Sequence, residues 1–121
     1  MKEEFIYYLW ENRLLHLDLK TTDNEDITIL SVGIRNHDSG ADFVNARIKI
    51  GDALWAGQVE MHVRASDWFK HNHHNDANYD SVILHVVYEN DTDSLKIPTL
   101  EIKDKFNLSL FHKYSWFLNS R

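Results

Sequence analysis

Residues 42–63, DFVNARIKIGDALWAGQVEMHV, decide the fold because they contain two strand-like segments on either side of a short turn. Apolar and polar residues alternate through residues 42–50, which predicts a half-buried strand. Gly51 and Asp52 supply a turn, and residues 54–63 form the partner strand of a hairpin. Gly57 marks a position where a β-bulge fits. The sequence therefore predicts an antiparallel hairpin at the centre of the domain.

The segments that precede the hairpin predict a helix and a strand. Residues 3–15, EEFIYYLWENRLL, place apolar side chains on one broad side and acidic ones on the other, which is typical of an amphipathic helix. Residues 27–33, ITILSVG, alternate like a strand, and the polar stretch RNHDSGAD after them indicates a loop.

The segments that follow the hairpin predict a short helix, two strands and a last helix. Ser66 stands where an N-cap is expected for a helix over residues 67–71. Residues 81–89, SVILHVVYE, are apolar on both faces and predict the central strand of the sheet. Pro98 favours an edge position for the strand KIPTLEIK, and residues 109–118 have helical spacing. The order predicts an α+β domain with a mixed sheet flanked by helices.

Composition limits the classes of function. With 121 residues, 43% hydrophobic and 26% charged, the chain is expected to form a single domain, residues 1–121. Because the chain contains no cysteine, it has no disulfides, thiolate zinc sites or cysteine nucleophiles. No leader or long apolar run is evident, so we expect a cytoplasmic protein without a membrane partner. The net charge of −6 does not support nucleic acid as a partner, although it leaves room for a local basic strip.

A candidate metal site lies on the hairpin. Asp42 opens the first strand and Glu60 lies late in the second, so two carboxylates could hold Mg²⁺ or Mn²⁺. His62 and Gln58 share the strand face of Glu60 and are placed to orient or activate a water molecule. A plain two-residue turn would put Asp42 on the opposite face. The site therefore requires a longer loop or a bulge near Gly57.

The predicted elements follow the order helix, strand, acidic hairpin, helix, strand. An aspartate opens one hairpin strand, and the next contains Glu-x-His. This pattern resembles the PD-(D/E)xK nuclease superfamily. This resemblance implies a restriction-endonuclease-like core and a metal-dependent nuclease or phosphodiesterase. The motif departs from the family pattern at two positions, since Ala41 replaces its proline and His62 its lysine. Glu4 and Glu11 are the candidates for the acidic residue that the first helix sometimes adds.

A second resemblance covers nearly the whole chain. The string GADFVNARIKIGDALWAGQVEMHVRASDWFKHNHHNDANYDSVILHVVYEND, residues 40–91, is similar to the N-terminal part of an uncharacterised bacterial family, domain of unknown function 2851. Members of that family are longer, which implies that the chain is the N-terminal part of a longer architecture. The family implies no reaction.

Several alternatives stay open. A catalytically inert scaffold or protein-interaction module would keep the fold, with Asp42 and Glu60 diverging or bound by Arg or Lys. A histidine-loop metal binder is the third hypothesis, although the loop matches no familiar zinc spacing and a solvated loop is the simpler interpretation. The loop residues concerned are His71, His73, His74 and Asp76.

The remaining histidine, aromatic and basic residues favour structural roles. His85 is predicted to be buried and hydrogen-bonded, and to lie beside His62 if their strands are neighbours. Trp55, Trp68 and Tyr79 are more typical of a core than of base stacking. Arg47 and Lys49 are predicted to lie on the strand face away from Asp42. A homo-oligomer could form through Phe111, Trp116 and Phe117 of the last helix.

Overall fold

A computed structural model of the protein describes residues 1–119, with side chains described through residue 116. The helices are α1 (Glu3–Glu11), α2 (Asp67–Lys70) and α3 (Leu108–Asn119), with two 3₁₀ turns at His73–Asn75 and Ala77–Tyr79. The strands are β1 (Ile27–Ser31), β2 (Ile34–Arg35), β3 (Phe43–Ile50), β4 (Ala53–Arg64), β5 (Val82–Glu89) and β6 (Thr99–Glu101). The side chain of Phe117, one of the predicted oligomer contacts, lies outside the described residues.

The strands form one mixed sheet in the order β1-β3-β4-β5-β6, with the short β2 also paired to β3. The pairs β1–β3 and β3–β4 are antiparallel, whereas β4–β5 and β5–β6 are parallel. The predicted α+β class with a mixed sheet is confirmed, as is the edge position of the strand after Pro98. The prediction that residues 81–89 form the central strand was wrong, since β4 occupies the middle of the order and β5 lies beside it.

The main core lies between the sheet and α1. One side of α1 is buried through Phe5, Ile6, Leu9 and Trp10. These side chains pack against the sheet residues Phe43, Ile48, Val59, Met61, Leu84 and Val86. Each such burial contributes roughly 1.5–3 kcal/mol for a large apolar side chain. Phe111 of α3 covers the same core, with its ring centroid 5.2 Å from that of Phe5, and is therefore not free on the surface.

Two predicted helix ends differ from the structure. The first helix was expected to reach residue 15, but it ends at Glu11 because the side chain of Asn12 bonds to the carbonyl of Tyr8 and Arg13 adopts a φ of 55°. Ser66 does not cap α2 with its side chain. Its amide and hydroxyl instead donate to Asp91 at 2.8 and 2.6 Å, so the serine ties α2 to the loop after β5.

A bulge in β3 sets the register of the hairpin. Ile50 pairs with Ala53 across a two-residue turn and Ala46 pairs with Gly57, but Phe43 pairs with Val59. The extra residue lies in β3, where Asn45 has a φ of 60°. Of the two predicted alternatives, a longer loop or a bulge near Gly57, the structure has the bulge, which lies in β3 opposite Gly57 and Val59 and not in β4.

The close approach of β5 gives Gly57 a different role. A Cβ atom on Gly57 would lie 2.6 Å from Ile83 Cγ2 and 2.8 Å from the carbonyl oxygen of Ser81. Glycine is therefore required because the backbone of β4 and the start of β5 meet closely.

The same bulge reverses the predicted face of two basic residues. Arg47 pairs with Ala56 and Lys49 with Leu54, which places both on the face of β4 that carries Glu60. Because the bulge moves Asp42 to that face as well, the expectation that these basic residues lie opposite Asp42 was wrong.

No helix among residues 1–119 is long and apolar enough to cross a membrane.

Candidate metal centre

A cluster of histidines surrounds Glu60 on the face of the sheet opposite α1. Glu60 and His62 come from β4, and His85 comes from β5, where it pairs with Glu60 in the parallel register. The chain between β4 and β5 folds back over this face and adds His71 and His73. Glu60, His62, His73 and His85 are 4%, 2%, 9% and 0% exposed, and His71 lies at the solvent side.

The polar atoms of this cluster converge at short distances. His62 Nε2 lies 3.2 Å from His71 Nδ1 and 3.5 Å from Glu60 Oε2. His73 Nε2 approaches the same Glu60 oxygen at 2.8 Å. That close pair lacks the angles of an N–H hydrogen bond, so His73 Nε2 is a buried nitrogen for which the described residues supply no hydrogen-bond donor or acceptor of standard geometry. The three imidazoles of His62, His71 and His73 offer ligand atoms within 4.8 Å of one another.

Neighbouring groups fix the orientation of each ring. His62 Nδ1 lies 2.7 Å from His85 Nε2, so one of these two nitrogens carries the proton of a buried hydrogen bond. This pair confirms the prediction of a buried His85 beside His62. The ring of Tyr79 stacks on His73 at a centroid distance of 3.7 Å, and buried Trp68 meets His73 edge-on at 5.3 Å. Trp68 is therefore a core residue, as predicted, whereas Trp55 is half exposed.

Burial favours the neutral form of His62, His73 and His85. It lowers the pKa of His62 to about 2, with the rings of His85, His73 and His71 adding to the effect, and that of His85 to about 3. Burial also lowers the pKa of His73. Neutral imidazole is the form that binds a metal ion, so the ring nitrogens are available as ligands near neutral pH.

The carboxylates lie next to this cluster. Asp42 Oδ2 accepts a hydrogen bond from the amide of Met61 at 2.8 Å, and Glu60 Oε1 accepts one from the amide of Asp42 at 3.1 Å. Burial, together with the adjacent Asp42 carboxyl, raises the pKa of Glu60 well above its usual range. Among the described residues, neither carboxylate forms an ion pair with lysine or arginine.

The acidic residue that α1 brings to the site is Glu3. The hydroxyl of Tyr7 lies 3.2 Å from Glu3 Oε1 and 3.1 Å from Asp42 Oδ1, linking the two carboxyl groups. Burial raises the pKa of both Tyr7 and Glu3. Neither Glu4 nor Glu11, the candidates on this helix, takes part in this link. Sequence analysis missed Glu3 because the helical pattern alone does not show how α1 crosses the sheet.

Gln58 lies two residues before Glu60 on the same strand face. Its Oε1 atom is buried and has no hydrogen-bond partner among the described residues. The structure thus places Asp42, Gln58, Glu60 and His62 on one face of the hairpin. Whether they act as ligands and catalytic groups stays a prediction.

The histidine loop differs from the solvated loop that we expected. His73 is buried against Glu60, so the interpretation of the loop as fully solvated was wrong for this residue. His74 and Asp76 are exposed. Three histidines within four positions, in a loop between two paired strands, were the sequence feature that could have indicated this cluster.

The fold and the cluster define an α+β domain with a buried histidine and glutamate centre. Residues 3–121 match the family described as protein of unknown function, DUF2851, and the chain belongs to that family. Comparisons with curated proteins and with solved structures found no match.

Proposed function

We propose that the domain is a divalent-metal-dependent phosphodiesterase of the nuclease type, with Asp42 and Glu60 as carboxylate ligands. The observation that supports it is the bulge at Asn45, which brings Asp42 to the face of Glu60 and His62. The element order also supports the expected resemblance to the restriction-endonuclease-like core, since a helix, a strand, a hairpin, a short helix and a parallel strand follow one another.

The chain's own groups have distinct tasks in this proposal. Asp42 and Glu60 would hold Mg²⁺ or Mn²⁺, which would polarise a phosphate oxygen and lower the pKa of a water molecule. The carboxylate of Asp42 and, once its proton is released, Glu60 Oε2 would supply the oxygen ligands for the ion. His62 and the unpartnered Oε1 of Gln58 orient the attacking water from the same strand face.

Exposed basic residues favour a phosphate-bearing substrate. Arg47 and Lys49 lie on the face of the hairpin that carries Glu60, and both are exposed. They are placed to contact phosphates outside the reacting centre, whereas the net charge of −6 argues against tight binding through this domain alone.

A catalytically inert scaffold is the second candidate, and one observation favours it. Each carboxylate accepts a backbone hydrogen bond within the hairpin, from Met61 to Asp42 and from Asp42 to Glu60. Such bonds hold the bulged strand in register without any metal ion. In this case Asp42 and Glu60 serve the fold alone.

The test is cleavage of a chromogenic phosphodiester and of single-stranded and duplex nucleic acids, with Mg²⁺ or Mn²⁺ and with chelator. The matched variants are Asp42→Asn, which keeps the acceptor for the amide of Met61, and Asp52→Asn in the exposed turn. We expect Asp42→Asn to lower the rate by roughly tenfold or more and Asp52→Asn to leave it unchanged. Absence of metal-dependent cleavage by the wild type would favour the scaffold.

A further inference from the structure

We infer that His62, His71 and His73, with Glu60, form a binding site for a transition-metal ion of the zinc class. This inference goes beyond the proposed function and does not depend on it, because metal binding is measured without substrate. In this site His62 is a ligand, and Glu60 is shared with the acidic hairpin.

The donor set determines the class of ion. Three imidazole nitrogens and one carboxylate oxygen are ligands typical of Zn²⁺, whereas Mg²⁺ prefers oxygen atoms alone. The sequence contains no cysteine, so a zinc site in this chain has to be built from histidine and carboxylate ligands. The cluster supplies that combination.

Two distances between donor atoms are close to those of tetrahedral coordination. Ligand atoms at the usual zinc distances lie about 3.3 Å apart when they are arranged as a tetrahedron. His62 Nε2 lies 3.2 Å from His71 Nδ1 and 3.5 Å from Glu60 Oε2. The 2.8 Å contact between His73 Nε2 and Glu60 Oε2 is shorter, so one of these side chains would shift by about half an ångström on binding.

An unpartnered nitrogen is the second observation. His73 Nε2 is buried 2.8 Å from Glu60 Oε2, and this contact does not have the angles of an N–H hydrogen bond donated by the histidine. Buried polar atoms in folded proteins nearly always have a partner, and a nitrogen lone pair that lacks a donor is satisfied by a metal ion. The same nitrogen is one that the proposed site would use.

The surrounding groups are those expected around metal ligands. His62 presents Nε2 to the cluster and Nδ1 to His85, which fixes its ring orientation; as a ligand through Nε2, it would donate its Nδ1 proton to His85 Nε2. Glu60 presents Oε2 to the cluster and receives the amide of Asp42 on Oε1. Stacking of Tyr79 holds the ring of His73. Three of the four ligands are thereby positioned before an ion binds.

The exposed position of His71 gives a clean test. Tag-free protein is stripped with chelator and titrated with Zn²⁺ by calorimetry and with Co²⁺ by visible absorption, which reports the d–d bands of tetrahedral cobalt. His71→Ala removes one ligand, and His74→Ala is the matched control because His74 is exposed in the same loop and outside the cluster. Far-ultraviolet circular dichroism checks that both variants fold.

We expect the wild-type chain to bind one Zn²⁺ and His74→Ala to bind it with unchanged affinity. His71→Ala is expected to bind Zn²⁺ at least tenfold more weakly and to lose the tetrahedral cobalt spectrum. Equal affinities in all three proteins, or no stoichiometric binding by the wild type, would overturn the inference. Zinc binding without phosphodiester cleavage would count against the proposed function and leave this site standing.

Discussion

The stability of the metal-free domain is expected to reach a maximum near pH 6.5 and to fall on both sides. The perturbation is pH alone, applied to protein kept in chelator. The expectation follows from three buried groups of the cluster, namely Glu60, His62 and His85, whose pKa values burial moves in opposite directions.

The two histidines determine how the free energy of unfolding changes below pH 6.5. Burial lowers the pKa of His62 from 6.5 to about 2 and that of His85 from 6.5 to about 3. Below pH 6.5 the unfolded chain therefore binds protons that the native protein does not, and the free energy of unfolding falls as pH falls. Each histidine contributes at most about 1.4 kcal/mol per pH unit.

Glu60 determines how the free energy of unfolding changes above pH 6.5. Its pKa is raised from 4.5, so above pH 4.5 the carboxyl ionises in the unfolded chain and stays protonated in the native one. The unfolded state then binds fewer protons, and the free energy of unfolding falls as pH rises toward the raised native pKa. Between pH 4.5 and 6.5 the histidines change the free energy of unfolding with pH more strongly than Glu60 does. Above pH 6.5 the histidines no longer contribute to this change, and the contribution of Glu60 remains.

The resulting slopes are large enough to measure. Above pH 6.5 the free energy of unfolding is expected to fall by about 1.4 kcal/mol per pH unit, or about 3 kcal/mol by pH 8.5. A domain of this size typically has 5–15 kcal/mol in total. Below pH 6.5 the net slope has the opposite sign, because the lowered pKa values of His62, His85 and His73 together outweigh the raised pKa of Glu60.

Urea unfolding at pH 5.5, 6.5, 7.5 and 8.5, with linear extrapolation to water, measures the profile. The matched variant is Glu60→Gln, which keeps an acceptor for the amide of Asp42 and removes the ionisable group. We expect the variant to lose the alkaline decline and keep the acidic one. A wild-type profile that is flat or rising from pH 6.5 to 8.5 would refute the assignment of a buried, protonated Glu60.

Three further predictions concern the fold and its surface. Asn45→Val is expected to destabilise the domain by roughly 1–2 kcal/mol in urea unfolding, because a β-branched residue opposes the positive φ of the bulge, whereas Asn45→Gly should not. Gly57→Ala is expected to cost about 1–3 kcal/mol in thermal unfolding, since its Cβ would lie 2.6 Å from Ile83 Cγ2; an unchanged midpoint would contradict that contact. Trp116 is 71% exposed on α3, so if a dimer forms there, sedimentation should show Trp116→Ser as a monomer beside a dimeric wild type.

The sequence was informative where a pattern repeats along one element. The alternation in residues 42–50 and 54–63 predicted the hairpin, because the period of two in a half-buried strand is a local property. The spacing of apolar residues predicted α1 for the same reason. Its end was predicted less well, since the left-handed conformation of Arg13 has no marker such as glycine at that position.

The site depends on contacts that are remote in the chain, and these were harder to predict. Geometry required a longer loop or a bulge, yet nothing in the strand pattern distinguished Asn45 from Gly57 as the place of a bulge. Asparagine tolerates a positive φ better than most residues, which is the physical reason that the bulge lies there. Burial of His73 depends on the chain folding back over the sheet after α2, and a polar loop sequence does not reveal that fold.

A buried polar cluster stabilises a domain only when each of its members has a partner. Here His62 Nδ1 and His85 Nε2 pair with each other, whereas among the described residues neither His85 Nδ1 nor His73 Nε2 has a hydrogen-bond partner, and Glu60 carries a raised pKa beside Asp42. An apolar side chain in place of His73 would remove that unsatisfied nitrogen, so the fold alone gives no reason for a histidine there. A cation bound between His73 Nε2 and Glu60 Oε2 would satisfy the nitrogen and stabilise the ionised carboxylate together. The anomalies at His73 and Glu60 therefore have one physical explanation, and the cobalt spectrum of the wild type and of His71→Ala tests it directly.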